Sequence, residues 1–235
     1  MEAHWKILAN KMPLQSLPVL GFFSNYPVEK FYSSNEFFLI CGTSDNQWAY
    51  LCGENPEDLT MVLQQFSFAT LYFANVEDWM IPALTQNHRV AWKLITHRFY
   101  LPDNVIITNP SLQHCKLSVA LAEAIFEMSA YKDYTSIGYL KDRINKDIST
   151  GIWANGKLVG WGLTHDDSSL GFLNVLPDWQ GKGLGESILK ALILQKRELH
   201  LPVFVNIEPH NVQSLRLIEK LGFVFDRQVS WLKLA

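Results

Sequence analysis

Three glycines fall within five positions in residues 180–185, which read Gln-Gly-Lys-Gly-Leu-Gly. The stretch follows an apolar run from Leu170 to Leu176 and precedes a helical pattern that begins at Leu184. A helix N-terminus presents unpaired N–H groups and the positive end of the helix dipole. Because glycine has no side chain, a diphosphate can approach those groups closely. The stretch is therefore a candidate anion site, and the alternative is a tight strand–helix turn that needs positive φ angles.

The spacing of the glycines excludes two common nucleotide-binding motifs. A P-loop has four residues between its first glycine and a Gly-Lys-Ser/Thr triplet, whereas here Gly183 follows Lys182. The dinucleotide motif G-x-G-x-x-G requires glycine or alanine at the position of Glu186. The stretch also follows predicted antiparallel strands, whereas the dinucleotide motif opens a β-α-β unit.

The composition is that of a globular protein with a sizeable core. Of the 235 residues 48% are hydrophobic and 18% are charged, and the net charge is −3. The basic residues form no block, and no apolar stretch reaches membrane-spanning length, so neither nucleic acid nor a membrane is an expected partner. The three cysteines and the histidines fit no metal spacing, so no metal is expected. A reduced, cytoplasmic setting is expected from this cysteine usage.

Local patterns predict the elements that must position the glycine stretch. Asn155-Gly156 is the strongest short hairpin signal, and residues 166–169 form a second turn, so three strands are expected to form an antiparallel meander ending near Leu176. Residues 184–199 predict a helix with Leu199 on its apolar face, and residues 203–207 predict a buried strand. The other predicted elements of this half are helices over 117–128, 137–144 and 211–221, and a last strand over 223–234.

The N-terminal half follows a similar order. Strands are predicted over 37–41, 48–52, 71–73 and 90–100, and helices from Pro56 and over 76–84. From residue 48 this order is β-α-β-α-β, as in 170–234, which is compatible with a degenerate duplication although no sequence repetition accompanies it. Residues 101–110 are the predicted linker.

Two motifs carry a resemblance to a known family. Gln180, Gly183 and Gly185 fit the pattern Gln/Arg-x-x-Gly-x-Gly/Ala, and Asn211 begins the segment Asn-Val-Gln-Ser-Leu-Arg-Leu-Ile-Glu-Lys-Leu-Gly-Phe 26 residues after Gly185. With these motifs, residues 140–235 resemble the GNAT superfamily of acyl-CoA-dependent N-acyltransferases. Residues 139–144, 156–161 and 176–179 more particularly resemble glycine N-acyltransferase-like proteins.

The resemblance implies an α/β (α+β) GNAT fold, in which a mixed central sheet contains a splayed parallel pair of strands. It implies two domains, a degenerate GNAT-like N-terminal domain over residues 1–108 and a GNAT acyl-CoA-binding domain over 112–235. Acetyl-CoA or another acyl-CoA is the implied co-substrate, with its diphosphate on the glycine stretch and its pantetheine arm along the end of the fourth strand. The coenzyme A-binding residues implied are Leu173, Asn174, Val175, Gln180, Gly181, Lys182, Gly183, Leu184, Gly185, Glu186, Asn211 and Ser214.

The chain departs from the family at the positions of its acid and base. Ile218 stands where a tyrosine commonly protonates the leaving thiolate, Asn206 where many members have glutamate, and Ser169 where glycine N-acyltransferases have one. His210, Glu208 and Asn206 are the catalytic candidates, and His165 and Asp166 also lie near the expected splay. For each of them a loop or surface role is the simpler interpretation, Asn211 can be an ordinary helix cap, and a water-mediated base remains open.

The function implied is transfer of an acyl group from coenzyme A to a small amine, with an amino acid such as glycine as the expected acceptor. Two alternatives are an acyl-CoA-binding protein with little or no turnover, and a protein N-acetyltransferase. The resemblance adds the mitochondrion to the cytoplasm as a compartment. Acyl length, acceptor and oligomeric state are left open by the sequence.

Overall fold

The computed structural model of the protein describes residues 2–129, 132 and 135–235. The chain folds as two compact units. The first comprises the chain up to Arg98 together with Ile207–Val212 and Phe225–Ala235, and the second comprises Phe99–Asn206 and Gln213–Val224. The division into domains at 1–108 and 112–235, with a degenerate duplication, stays a prediction.

Eight α-helices and ten strands are described over these residues. The helices are α1 (Glu2–Lys11), α2 (Leu17–Asn25), α3 (Pro56–Gln65), α4 (Ile81–Leu84), α5 (Ala122–Met128), α6 (Ile137–Lys146), α7 (Leu184–Glu198) and α8 (Val212–Lys220). The strands are β1 (Lys30–Ser34), β2 (Phe37–Thr43), β3 (Gln47–Cys52), β4 (Tyr72–Val76), β5 (Val90–Tyr100), β6 (Ser149–Ala154), β7 (Lys157–Thr164), β8 (Leu170–Val175), β9 (Phe204–Ile207) and β10 (Val224–Leu234). Short 3-10 turns cover Asp78–Met80, Val119–Leu121 and Pro177–Trp179.

The first unit is built on a mixed sheet with the strand order β1-β2-β3-β4-β10-β5. Strands β1, β2 and β3 are antiparallel, whereas β3 and β4 are parallel and are joined through α3. Cys41 and Cys52 are buried in its cores, where loss of hydration raises the pKa of each thiol to about 12. Both therefore behave as small apolar residues.

The second unit contains the strand order β9-β8-β7-β6. Asn155 and Gly156 have φ angles of 51° and 73°, which make the turn between β6 and β7 the predicted two-residue hairpin. Strands β6, β7 and β8 are antiparallel neighbours, and α7 then leads to β9, which is parallel to β8. The predicted meander and parallel crossover are confirmed.

Helix α7 packs closely on β7 because two glycines clear its path. A Cβ added at Gly160 would lie 2.9 Å from Ile188 Cδ1, and one at Gly162 would lie 2.8 Å from Leu192 Cδ1. Both helix residues are fully buried, and each such side chain contributes about 1.5–3 kcal/mol through apolar burial. The prediction was wrong for Leu199, which lies just beyond the helix and is 56% exposed, because the helix ends at Glu198.

An ion pair is buried at the end of α6. Arg143 Nη2 donates to Asp147 Oδ2 at 2.9 Å and to Thr164 Oγ1 at 3.0 Å, and its side chain has no exposed surface. One turn of the same helix also carries the pair of Lys146 and Asp142, 3.0 Å apart, in which both side chains are about one-third exposed. The two pairs have the same spacing in sequence and differ in burial.

We expect Arg143→Met to lower the free energy of unfolding by about 3–5 kcal/mol, because it leaves the Asp147 carboxylate buried without its partner. The matched variant Lys146→Met removes the exposed pair and should cost about 1 kcal/mol or less. Denaturant unfolding of both variants and of the unaltered protein measures the two differences. Equal losses would show that the Arg143 pair is no more important than a surface pair.

None of the helices in the described ranges combines the length and apolarity needed to cross a membrane.

Candidate functional site

The glycine stretch is a strand-to-helix turn with two left-handed residues. Strand β8 ends at Val175, the 3-10 turn Pro177–Trp179 follows, and α7 begins at Leu184. Gly181 has a φ of 73° and Gly183, the residue that precedes the helix, has a φ of 80°. L-residues rarely adopt these angles, so the turn requires glycine at both positions for its backbone alone.

The space above these two glycines is open. A Cβ added at either one would meet no atom of the described chain within 4 Å. The helix also keeps its first N–H groups available, since its first internal hydrogen bond runs from the Ser187 N–H to the Gly183 carbonyl at 3.0 Å. No side chain of the described residues caps this helix end, so the amides of residues 184–186 have no capping partner.

Helix α3 of the first unit, unlike α7, has a side-chain cap at its N-terminus. The Asn55 side-chain carbonyl accepts hydrogen bonds from the N–H groups of Glu57 and Asp58 at 2.8 and 3.2 Å. Pro56 contributes no N–H, and the two acidic side chains already complement the helix dipole. Helix α3 connects two parallel strands, as α7 does, and yet its N-terminus is capped. The uncapped start of α7 is therefore specific to α7 and does not follow from the topology.

Two polar side chains hold the loop in place. Gln180 Nε2 donates to the Val175 carbonyl at 3.0 Å and so ties the loop to the last residue of β8. Lys182 Nζ donates to the Asp178 carbonyl at 2.8 Å and lies 5.0 Å from the centre of the Trp179 ring. The loop is thus closed by hydrogen bonds to backbone carbonyls, which leaves the charge of Lys182 uncompensated by a carboxylate.

The one acidic residue in the first turn of α7 is neutralised by two lysines. Glu186 accepts a hydrogen bond from Lys220 of α8 and lies 2.9 Å from Lys190 Nζ. The hydrogen bonds from Lys220 and Lys190 lower the pKa of the Glu186 carboxyl, so it is ionised at neutral pH. Lys182, Lys190 and Lys220 carry three positive charges near this helix end, and Glu186 carries one negative charge. The charge of these four side chains is therefore net positive.

Strands β8 and β9 separate soon after they meet. Within the described residues their parallel pairing consists of Leu170 with Val205, and β8 continues to Val175 with β7 on its other edge. Phe172 has a φ of 47°, and the register of β7 and β8 shifts near it. The expected splay is therefore present, and it leaves main-chain groups of residues 171–175 on the β9 side without a strand partner.

Asn206, one of the catalytic candidates, contacts a carboxylate. Its Nδ2 donates to Asp167 Oδ2 at 3.1 Å, and its Oδ1 is buried without a hydrogen-bond partner in the described chain. Ile218, at the position of the family's acid, is buried and packs as a core residue of α8. Neither side chain can exchange a proton.

Glu208 and His210 lie together in the segment 207–212, which belongs to the first unit. His210 Nε2 is 3.7 Å from Glu208 Oε2, and the His210 side chain is 79% exposed. Asn211 directly precedes α8, as expected for a helix cap, while Ser214 lies on α8 within the second unit. The roles of these residues stay predictions.

Sequence reasoning missed a buried polar cluster around the turn at residues 165–169. This turn looks like a polar surface loop, yet Asp166, Asp167, Ser168 and Ser169 are all buried. Lys196, which is 1% exposed, donates to Ser168 Oγ, and Ser168 donates to Asp147 Oδ2 at 2.8 Å. Four consecutive polar residues without glycine or proline were the available signal.

In the described ranges no group of His, Cys, Asp and Glu side chains is arranged to hold a metal ion.

Comparison with known proteins gives a family match and a fold. Residues 149–232 match the model of the family described as FR47-like protein. The L-amino acid N-acyltransferase MnaT of Escherichia coli is 46% identical over 56 residues, which are 23% of this chain and 33% of that protein. The chain spans about a third of the length of the curated relatives it matches.

Solved structures share the fold over most of the chain. An X-ray structure of a Drosophila protein is similar with a TM-score of 0.76 and 21% identity, over 87% of this chain and 78% of that one. The GCN5-related N-acetyltransferase from Kribbella flavida is similar with a TM-score of 0.61 and 11% identity, over 94% of each chain. These likenesses confirm the mixed α/β fold of GNAT acetyltransferases.

Proposed function

We propose that this protein is a GNAT-type acetyltransferase that transfers an acetyl or other acyl group from coenzyme A to an amine, a proposal supported by the match of residues 149–232 to the FR47-like family. The observation that carries the proposal is the uncapped, glycine-lined and positively surrounded start of α7 beside a strand edge that has lost its partner. A diphosphate suits the first feature and an extended amide chain suits the second, and coenzyme A contains both.

The diphosphate is assigned to the amides of residues 181–186. Its charge would be balanced by Lys182, Lys190 and Lys220, while Glu186 is already paired. A phosphate at a helix N-terminus gains both from direct N–H hydrogen bonds and from the dipole. Gln180 acts indirectly, since its hydrogen bond to Val175 keeps the loop against β8. Ser214 of α8 is the remaining contact proposed in this unit.

The pantetheine arm is assigned to the free edge of residues 173–175, where its amides can pair as a short strand. Val175 is also the proposed oxyanion donor. The next N–H, of Leu176, donates to the Val159 carbonyl of β7 at 2.9 Å. Because successive N–H groups of a strand point to opposite edges, the Val175 N–H is directed to the edge that β9 has left. A thioester carbonyl placed there would meet a preorganised donor as its oxygen gains charge.

An amino acid is the proposed acceptor class, and the relative whose name specifies an L-amino acid N-acyltransferase supports this choice. Glycine is the first acceptor to test, as the resemblance to glycine N-acyltransferase-like proteins implies. A second candidate function is acyl-CoA binding with little or no turnover. It is favoured by the absence of a proton-exchanging group at both Ile218 and Asn206. Of the catalytic candidates, Glu208 and His210 are able to accept the proton of the amine.

Replacing Gly183 by valine should weaken binding of acetyl-CoA at least tenfold, because the new side chain would occupy the diphosphate position. The variant also strains a backbone with positive φ, and Gly156→Val controls for this strain. Gly156 has a φ of 73° and equally open space, but it lies in the hairpin turn between β6 and β7. Isothermal titration calorimetry with acetyl-CoA measures both affinities. Equal affinities for the two variants would place the diphosphate elsewhere.

Release of free thiol from acetyl-CoA, benzoyl-CoA and a long-chain acyl-CoA tests the transfer itself. We expect release to require an amine and to be fastest with an amino acid, in a panel that also holds a polyamine and a peptide with a free N-terminus. Transfer to the peptide alone would indicate a protein N-acetyltransferase. Tight binding of every acyl-CoA without release under any amine would establish the second candidate function.

A further inference from the structure

An imidazole lies against β8 at the point where β8 and β9 separate. A Cβ added at Gly171 would lie 2.1 Å from His165 Nε2, so the ring of His165 occupies the space that a side chain at this position would need. The ring also packs on Phe172, with 4.5 Å between the two ring centres. Gly171 directly follows Leu170, the residue through which β8 pairs with β9. His165 is half-buried and keeps part of its surface accessible.

A buried carboxylate belongs to the same turn. Asp167 is 1% exposed, and its Oδ1 accepts hydrogen bonds from the N–H and the Oγ of Ser169 at 2.9 and 2.6 Å. Its Oδ2 accepts from Asn206 Nδ2 on β9 at 3.1 Å. Two donors of Ser169, just before β8, and one of Asn206 on β9 therefore fix a negative charge at the beginning of the parallel pair.

Burial favours the neutral form of His165, and two buried charges act on it in opposite directions. Burial lowers the pKa of its imidazole, Asp167 opposes this effect, and Arg143 of α6 adds to it. The cluster also contains the buried charges of Asp166, which directly follows His165, of Asp147 at the end of α6 and of Lys196 of α7, which is bonded to Ser168. A neutral imidazole with a carboxylate in the same turn is the arrangement that accepts a proton and stabilises the imidazolium formed.

We infer that His165 is the group that deprotonates the acceptor amine, and that Asp167 is a positioning residue that stabilises the charged form of His165. The inference rests on the proposed acyl transfer and adds its proton acceptor. His165 takes one proton from the ammonium group and so releases the neutral amine. The amine nitrogen then forms a bond to the thioester carbonyl carbon, and the carbon–sulfur bond breaks. The second proton of the nitrogen passes to the departing thiolate, and His165 returns its proton to water.

Two features favour His165 over His210 for this step. The His210 side chain is 79% exposed and its contact with Glu208 is 3.7 Å long, so no close contact among the described residues orients the ring. His165 instead has its ring fixed by Gly171 and Phe172 at the beginning of the free strand edge, whose other end at Val175 is proposed for the thioester carbonyl. A proton acceptor acts on the reacting amine directly or through water, so an oriented ring on this edge is favoured over a solvated one.

The test compares His165→Gln, Asp167→Asn and the control His200→Asn. His200 is an exposed residue after α7 with a φ of 55°, which asparagine tolerates, so the control should match the unaltered protein. Asparagine at 167 is nearly isosteric, and rotation of the Asn206 amide would present its unpaired Oδ1 to the new donor. For each protein, calorimetry measures acetyl-CoA affinity, and thiol release with the best amine gives kcat/KM from pH 5 to 9.

We expect His165→Gln to bind acetyl-CoA normally and to lose about 100-fold or more in kcat/KM, within the usual range for a general base. The rise of kcat/KM through the titration of His165 should disappear with it. In Asp167→Asn the same rise should move to lower pH, because the lost negative charge had raised the pKa of His165. A purely structural defect would lower the rate without moving this rise.

The inference is overturned if His165→Gln keeps the rate and pH profile of the unaltered protein, or if it loses acetyl-CoA affinity as well as rate. Both of these outcomes leave the proposed function standing, provided that the unaltered protein acylates an amine. If the unaltered protein binds acetyl-CoA and acylates no amine, the proposed transfer fails, and the role of His165 fails with it.

Discussion

The separation of β8 from β9 is the constraint on which the rest of the second unit depends. Backbone N–H and C=O groups are costly to leave unpaired, so a strand that loses its neighbour after Leu170 needs another partner. The chain supports this edge from the other side. Strand β7 follows β8 to Val175, and the left-handed Phe172 with its register shift bends β8 without ending the pairing. The free edge is therefore supported by the surrounding chain. The polar turn at residues 165–169 precedes it in sequence, and the glycine loop and the start of α7 follow it.

The two units use the same local topology in opposite ways. In each of them a strand, a helix and a parallel strand follow one another, as β3-α3-β4 and as β8-α7-β9. At α3 the amides are taken by Asn55, and proline and acidic residues occupy the first turn, so an anion would find neither donors nor favourable charge. Strands β3 and β4 also stay paired over three residues. At α7 glycines replace the cap and two lysines neutralise the acid. The difference lies in a few side chains at one helix end, and it is the reason why we propose an anion site at α7 and none at α3.

Local signals explain how much could be predicted from the sequence. The hairpin at Asn155-Gly156, the strand over 90–100 and the helix starts at Pro56 and Leu184 depend on neighbouring residues, and all are confirmed. Helices α1 and α2 and strand β1 were missed. For α2 the reason is that its mostly apolar residues show only a weak amphipathic period. The segment 76–84 forms a 3-10 turn and the short α4 where one helix was predicted. The glycine loop was predicted for the same reason, because its residues are neighbours in the sequence. The cluster of Arg143, Asp167 and Lys196 was not predicted, because its residues are far apart in the chain.

The polar turn shows why aligning this sequence with the family, position by position, does not identify the catalytic groups. Ser169 and Asn206 stand where the resemblance implies glutamates, and by residue type neither replaces a carboxylate. Both hydrogen-bond to the same carboxylate, that of Asp167. An acidic group thus contacts both aligned positions even though each of them lacks one. A buried carboxylate held by three donors stays in one place, and its charge acts on His165 at short range, where little water screens it. The chemistry of such a site depends on which groups fill the space between β8 and β9, and the chain can supply them from the turn that precedes β8.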